Sequence, residues 1–311
     1  MTNNKVIIGT RGSMLALWQT NWVKAELEKH HPQIAIEIKI ITTKGDRILD
    51  VSLPKLGEQG KGLFTKELED AMYAREIDLA VHSLKDLPTD MPEGLILGAI
   101  CEREDVRDAF IAAPQIQSFK ALPKSARVGT SSLRRESQLR AVRPDLQILP
   151  VRGNVDTRLR KLDEGNYDAI ILASAGLRRL GYAARITEYL EADIMLSAVG
   201  QGALAIESRE DDERVNRLLK PLNHQPTRLA CIAERSFLKG LGGGCIVPIA
   251  ALCRVEEDKL NLEGLVAKPD GSQVIRGQMT ALLEEAELLG QKLAEDLLQR
   301  GAGELLADDK V

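Results

Sequence analysis

Isoleucines at 34, 36, 38 and 40 alternate strictly with other residues, the period of two that marks a half-buried strand. Ahead of them Leu15, Trp18, Trp22 and Ala25 fall at helical spacing, and Pro32 bars that helix from continuing. Val6–Gly9 before the helix predicts a short buried strand. Phe64, Leu68 and Met72 form a further helical stripe, followed by a strand at Leu79–His82, a Pro-rich loop and the apolar run Leu95–Ile100. A second stretch repeats the rhythm. Val128-Gly129-Thr130 leads into a helix over Ser132–Val142, Leu146–Val151 predicts a strand, Asn154–Leu162 a helix, and Tyr167–Ala173 a strongly buried strand. Alternating βαβ units of this kind imply mainly parallel α/β sheets with sites at the carboxyl ends of the strands. From about Asp211 the pattern changes. Two helical segments lead to Gly242-Gly243-Gly244-Cys245, strands are predicted over Ile249–Cys253, Leu260–Val266 and Ser272–Gln278, and an amphipathic helix over Ala281–Gln299. This predicts a small α+β domain behind the two α/β units.

Three apolar runs break into Gly/Ser/Thr/Arg loops that open helices: Val6–Ser13, Val128–Arg135 and Ile148–Val155. Free N–H groups and the dipole at a helix N-terminus favour anions, and arginine offers a planar fork for a carboxylate or phosphate. Three such loops in one chain point to a cleft for a ligand with several negative groups. Arg178 and Arg179, after the strand ending at Ala173, add cations in an equivalent position.

Composition narrows the ligand. The 311 residues carry 42 basic and 46 acidic side chains, a net charge of −4, with only 3% aromatics. A nucleic-acid surface would show a basic excess and stacking platforms, so the arginines are assigned to a small anion. No apolar run is long enough to span a bilayer, and Met1–Lys5 lacks a signal-peptide core. The expected compartment is the cytoplasm, or the plastid stroma if a transit peptide has been removed. Cys101, Cys231, Cys245 and Cys253 include no CxxC pair, which fits reduced thiols and argues against zinc.

Individual motifs leave alternatives open. Gly57–Gly62 fails the Walker pattern at Lys55 and Gly62, leaving a basic lid with Lys55 and Lys61 or a plain turn. Gly200–Ala205 matches a loose dinucleotide fingerprint without the surrounding βαβ unit, so a hinge or tight turn is the better reading. His82 reads as a hydrogen-bonded structural residue. Lys85 and Asp86, at a strand's carboxyl end, form either a solvated ion pair or a group poised for proton transfer and cation stabilisation. Cys245 is either a small core residue or, after three glycines, a thiol extended into a cleft.

Taken together these stretches resemble the porphobilinogen deaminase (hydroxymethylbilane synthase) family. The resemblance rests on GTRGSMLALWQ (9–19), GKGLFTKELE (60–69), AVHSLKDLP (80–88), CEREDVRDAF (101–110), VGTSSLRRESQL (128–139), RGNVDTRL (152–159), YDAIILASAGLRRLG (167–181), SAVGQGALAIE (197–207) and GGGCIVPIA (242–250), which follow in order over nearly the whole chain. Leu84 and Ile246 stand where other residues are frequent.

The resemblance implies two lobes similar to type-2 periplasmic-binding-protein domains plus the α+β domain. Their expected extents are 1–101 with 198–219, then 102–197, then 220–311 carrying the cofactor cysteine. It implies a monomeric transferase that joins four porphobilinogen molecules head to tail with release of ammonia, on a dipyrromethane primer held as a thioether on Cys245. Asp86 is then the proton-handling acid. Lys85, Asp86, Thr130, Ser131, Ser132, Arg134 and Arg135 fall to the primer, and Arg11, Ser13, Gln19, Arg152, Arg158 and Arg179 to substrate and growing chain. No metal, nucleic acid or membrane is implied. The competing expectation is a non-catalytic two-lobed anion-binding or sensor protein, which would need neither Asp86 nor Cys245 for chemistry.

Overall fold

The computed structural model describes residues 4–47, 63–243 and 248–307, and its contacts divide the chain into two units, 1–104 with 203–228, and 105–202 with 229–311. Lys55, Lys61, the Gly57–Gly62 loop and Cys245 lie outside the described residues.

The first unit is built on β1 (Lys5–Thr10), α1 (Met14–His30), β2 (Ala35–Ile40), a single-turn α2 (Lys44–Arg47), α3 (Lys66–Tyr73), β3 (Leu79–Ser83), β4 (Leu95–Ile100), β10 (Leu204–Arg209) and α7 (Glu213–Leu219). Its sheet runs β2-β1-β3-β10-β4, with β10 antiparallel to both neighbours. Val6, Ile8, Leu79 and Val81 meet Val23 and Leu27 of α1 on one face. Ala80 meets Leu68, Ala71 and Met72 of α3 on the other. The alternating isoleucines do form β2, but only Ile36 is buried. Ile38 is half-buried and Ile40 is exposed, because β2 is the edge of the sheet.

The second unit contains a sheet of the same design. It comprises β5 (Asp108–Ala112), β6 (Arg127–Gly129), α4 (Leu133–Val142), β7 (Gln147–Leu149), α5 (Val155–Asp163), β8 (Ala169–Ala173), α6 (Ser174–Arg179) and β9 (Glu188–Leu190). The order is β7-β6-β8-β5-β9, again with one antiparallel strand, β5, next to the edge. In each sheet the first strand of the parallel trio is flanked by the other two; the antiparallel strand returns from a distant part of the chain in the first sheet (β10) and precedes the trio in the second (β5). Two α/β sheets of one design thus stand where the sequence pattern predicts two α/β lobes.

Also in this unit, β11 (Ile249–Glu256), β12 (Lys259–Ala267) and β13 (Val274–Leu282) form an antiparallel meander. α8 (Gln225–Gly240) and α9 (Ala286–Leu297) pack on it through Ala233, Phe237, Leu293 and Leu297, and the short α10 (Gly303–Ala307) ends the described chain. The two helices approach so closely that a Cβ on Gly290 would stand 2.3 Å from the Ala233 carbonyl oxygen. The helix expected from Ala281 begins only at Ala286. Leu282 closes β13, where exposed and half-buried positions alternate, and a single 3-10 turn, Leu283–Glu285, intervenes.

Candidate active site

All three anion-type loops stand where the sequence places them, each between a strand's carboxyl end and a helix. In the first unit β1 ends at Thr10, and Ser13 caps α1 by accepting from the Ala16 N–H at 3.3 Å. The Arg11 guanidinium lies 4.2 Å over the Phe64 ring, which holds it by a cation–π contact.

β3 ends at Ser83 and turns at once into the 3-10 segment Leu84–Asp86. The turn is anchored by buried Leu84, whose N–H donates to Ala203 at 3.0 Å. Gln19 is buried behind it and donates from Nε2 to Ser83 Oγ at 2.9 Å. Gln19 is thereby tied to the residue that opens the turn. Asp86 is exposed and makes no hydrogen bond or ion pair among the described residues. Of the two readings of Lys85-Asp86, the surface ion pair is therefore not formed. His82 is structural, as expected: it is buried and its Nε2 is 2.9 Å from Glu207 Oε2, a carboxylate with no exposure at all.

In the second unit the loop after β6 is self-bonded. Thr130 Oγ1 accepts from the Ser132 N–H at 3.2 Å, and Ser131 Oγ donates to Val151 at 2.9 Å. Arg134 and Arg135 are in the first turn of α4, not in the loop, and both are buried. They converge on Asp108 at the start of β5. Arg134 Nη1 is 2.8 Å from Oδ2, and Arg135 Nη2 and Nε are 2.7 and 3.0 Å from Oδ1. Gln201 Nε2 adds a bond to Oδ1 at 3.1 Å. Burial alone would raise the Asp108 carboxyl, but the two guanidiniums outweigh it and hold it far below the usual carboxylate range. Burial pushes Arg134 down, with Asp108 partly offsetting the shift. Two buried cations share one buried anion, so the cluster carries one positive charge in excess.

After β7, Gly153 has φ +108°, and a Cβ there would strike the Thr157 side chain at 2.6 Å, so the bend requires glycine. Arg158 Nε donates to the Gly153 carbonyl at 2.7 Å, and Lys161 Nζ to that of Arg152 at 3.2 Å. After β8, Arg178 is exposed and Arg179 donates to the Gly202 carbonyl at 2.7 Å. Gly200 and Gly202 both have positive φ, as the tight-turn reading requires.

The strand ends of the first unit thus carry Arg11, Ser13, Lys85 and Asp86. Those of the second carry Thr130, Ser131, Ser132, Arg152, Arg158 and Arg179. Asp108, Gln201 and Glu207 were not singled out by sequence reasoning. The signal for Asp108 was available: an acid opening the strand Asp108–Ala112, whose other residues are apolar, needs a buried cation. Among the described residues there is no cluster suited to a metal ion and no helix long and apolar enough to cross a membrane.

The family model described as porphobilinogen deaminase, dipyrromethane cofactor binding domain, matches residues 6–217, and that of the porphobilinogen deaminase C-terminal domain matches residues 228–299. A porphobilinogen deaminase of Carboxydothermus hydrogenoformans is 54% identical over 304 residues, covering 98% of this chain and 97% of its own length. One from Syntrophotalea carbinolica is 53% identical over 307 residues, covering 99% and 96%. Among solved structures, the probable amino-acid transporter binding protein ytmK of Bacillus subtilis aligns with 70% of this chain and 90% of its own at 10% identity and a TM-score of 0.41, which adds no weight to the sheet topology. Matched by family models across both of its parts and by relatives along almost its entire length, the chain belongs to the porphobilinogen deaminase family, dipyrromethane-dependent transferases that make hydroxymethylbilane.

Proposed function

We propose that Asp86 is the catalytic carboxylate of this chain, that Cys245 carries the dipyrromethane, and that the cationic strand ends bind the acetate and propionate groups of cofactor and substrate. The observation that carries the reading is the Asp86 carboxylate, presented by a rigid turn and engaged with no described residue.

The described residues fit the cofactor. Each of its two pyrrole rings bears an acetate and a propionate. The second unit offers the N-terminus of α4 beside the Thr130–Ser132 hydroxyls, over a cluster with one surplus buried positive charge. Arg134 and Arg135 would supply that charge to the primer, and Lys85 would add another. Arg11, Ser13, Arg152, Arg158 and Arg179 would take substrate and the growing chain, with Gln19 acting through Ser83.

When attached, the dipyrromethane supplies the chain end to which substrate units are joined. In each addition the substrate loses ammonia, a carbon–carbon bond forms, and the attacking ring carbon gives up its proton. A carboxylate at Asp86 stabilises the positive charge left as ammonia departs and can accept the released proton. Neither role needs a second acid, and among the described residues Asp86 has none of the ion pairs that engage Asp105, Asp108 and Asp168.

We also propose the domain extents 1–101 with 198–219, 102–197 and 220–311, with the enzyme acting as a cytoplasmic monomer. Every invoked residue comes from one chain, and the non-catalytic sensor reading is disfavoured by the full-length family match.

Intact-protein mass spectrometry tests the assignments. Purified enzyme should exceed its sequence mass by one two-ring adduct and react with Ehrlich's aldehyde reagent. Cys245→Ala should lose both signals, while serine at Cys101, Cys231 or Cys253, all buried, should keep them. Asp86→Asn should keep the fold and lower turnover by at least about a hundredfold. An adduct retained in Cys245→Ala, or near-normal turnover in folded Asp86→Asn, would end the reading.

A further inference from the structure

Away from the strand ends just described, the first unit has a cavity of about 220 Å³ against β4 and α7, lined in part by Leu97, Gly98, Asn216, Lys220, Asn223 and Arg228. It is large enough for a small organic acid or a phosphate.

Arg228 lies in the first turn of α8 and is half-buried. Its Nη1 donates to the Leu97 carbonyl at 3.1 Å and to Asn223 Oδ1 at 3.2 Å. Those two bonds use both Nη1 protons and fix the plane of the guanidinium. The Nε–Nη2 edge, the side of the fork that matches two oxygens of one anion, has no partner among the described residues. No carboxylate pairs with Arg228 among them, and burial alone depresses its pKa. Lys220, on the same wall, is exposed and likewise without an acidic partner among them. Asn216 is committed elsewhere, accepting from Ser208 and donating to the Arg209 and Glu210 carbonyls, so it shapes the wall and does not compete for the fork. Gly98 keeps the floor clear: a Cβ there would stand 2.5 Å from Ser208 Oγ and 2.7 Å from Leu219 Cδ1. A partly desolvated cation is costly unless paired, and Arg228, with that edge unengaged by any described residue, lines a cavity that holds a second cation and no acidic lining residue.

We propose that this cavity is a binding site for a small oxyanion, a carboxylate or phosphate, held bidentately by the Nε–Nη2 edge of Arg228 and supported by Lys220. The anion ties β4 to α7 and to the first turn of α8, all within the first unit. The site is separate from the residues assigned to substrate and cofactor, and it does not depend on that assignment.

The test is a nitrogen-15 NMR titration of the primed, full-length enzyme with inorganic phosphate and, in a second arm, with acetate. Sodium chloride at equal ionic strength is the reference. The Arg228 Nε–Hε resonance, identified by its absence in Arg228→Lys, should shift saturably with at least one of the two anions. The arm that responds at lower concentration identifies the ligand chemistry. The Gly98 amide and the Asn223 side-chain amide should move with it. Lys220→Glu should weaken binding roughly twofold to fivefold. Arg228→Gln should weaken it about tenfold or more as read by the Gly98 amide. Turnover should be unchanged in either variant. Should Arg228→Gln not fold, Arg228→Lys, which keeps the charge and loses the fork, serves in its place. Shifts no larger than those from sodium chloride in both arms, or unchanged Gly98 shifts in the Arg228 variant, would overturn the proposal.

Discussion

Asp108→Asn is the most informative single substitution. The native carboxylate is ion-paired with Arg134 at 2.8 Å and accepts hydrogen bonds from Arg135 at 2.7 and 3.0 Å and from Gln201 at 3.1 Å. Asparagine has nearly the same shape but no charge. It must also present an NH2 group to one of two sets of N–H donors. Two buried guanidiniums then lose the one counter-charge they share among the described residues. Removing one partner of a buried ion pair costs about 3–5 kcal/mol, a large share of the 5–15 kcal/mol typical of a folded domain. With a urea slope of roughly 2–3 kcal/mol/M, the unfolding midpoint should drop by roughly 1–2.5 M.

The acid side of the stability profile gives an independent reading. The Asp108 carboxyl is held well below its ordinary value, so its stabilisation is fully present above about pH 5. As pH falls from that ordinary value, near 4, towards the depressed one, the unfolded chain takes up a proton that the folded chain refuses, and stability declines. Asp108→Asn should flatten this part of the profile. In a double-mutant cycle, Arg135→Gln should cost less in the Asp108→Asn background than alone, because it then removes an unpaired cation. A midpoint loss under about 0.3 M, an unchanged acid limb or strict additivity would each refute the reasoning.

Two further outcomes are expected. Glutamine at Arg134 or Arg135 should impair primer assembly or retention, whereas glutamine at Arg11, Arg152, Arg158 or Arg179 should leave primed enzyme with substrate affinity lowered roughly tenfold to a hundredfold; mass spectrometry of enzyme–intermediate complexes separates the groups, and the reverse pattern would discard the division. Glu207→Ala strips the buried His82 ring of its partner and should cost roughly 1.5–3 kcal/mol in urea unfolding, with Glu207→Gln costing less; equal stability of wild type and Glu207→Ala would show that the contact carries nothing.

What could be read from the sequence follows from what each pattern encodes. Both βαβ trios were legible because their strands and helices are local, periodic and mostly one-sided. β10 was not. Its run Leu204–Arg209 is buried throughout and mixes Glu207, Ser208 and Arg209 with apolar residues, so it has no period of two, and the glycines before it look like a loop. Its place between β3 and β4 depends on a chain return of about a hundred residues that no local signal records. The strand-end arginines were legible as a group because Gly, Ser and Thr announce the loops. Their division into those at the strand ends and those bonded inward was not, because it depends on Asp108, remote in sequence from Arg134 and Arg135. The bond from Gln19 to Ser83 was equally illegible, because it joins α1 to the end of β3 across 64 positions of sequence.

The charge count around Asp108 carries a last consequence. Two buried arginines against one buried aspartate leave the unprimed second unit with a surplus positive charge at this cluster that no described residue is seen to neutralise. A ligand that binds the folded state and not the unfolded one raises stability by mass action, and a covalent one does so permanently. If cofactor carboxylates supply the missing negative charge, priming should stabilise the enzyme by more than the burial of two small rings would. Primed wild type should therefore melt several degrees above unprimed Cys245→Ala. The gap should widen in Asp108→Asn, where the surplus doubles and the cofactor becomes the principal counter-charge. It should narrow in Arg134→Gln, where the surplus is gone. Differential scanning calorimetry of the primed and unprimed forms of all three backgrounds decides the matter. A gap of the same size in each would mean that the cofactor stabilises the enzyme through contacts other than this cluster, and that Arg134 and Arg135 serve only to pin β5 to α4.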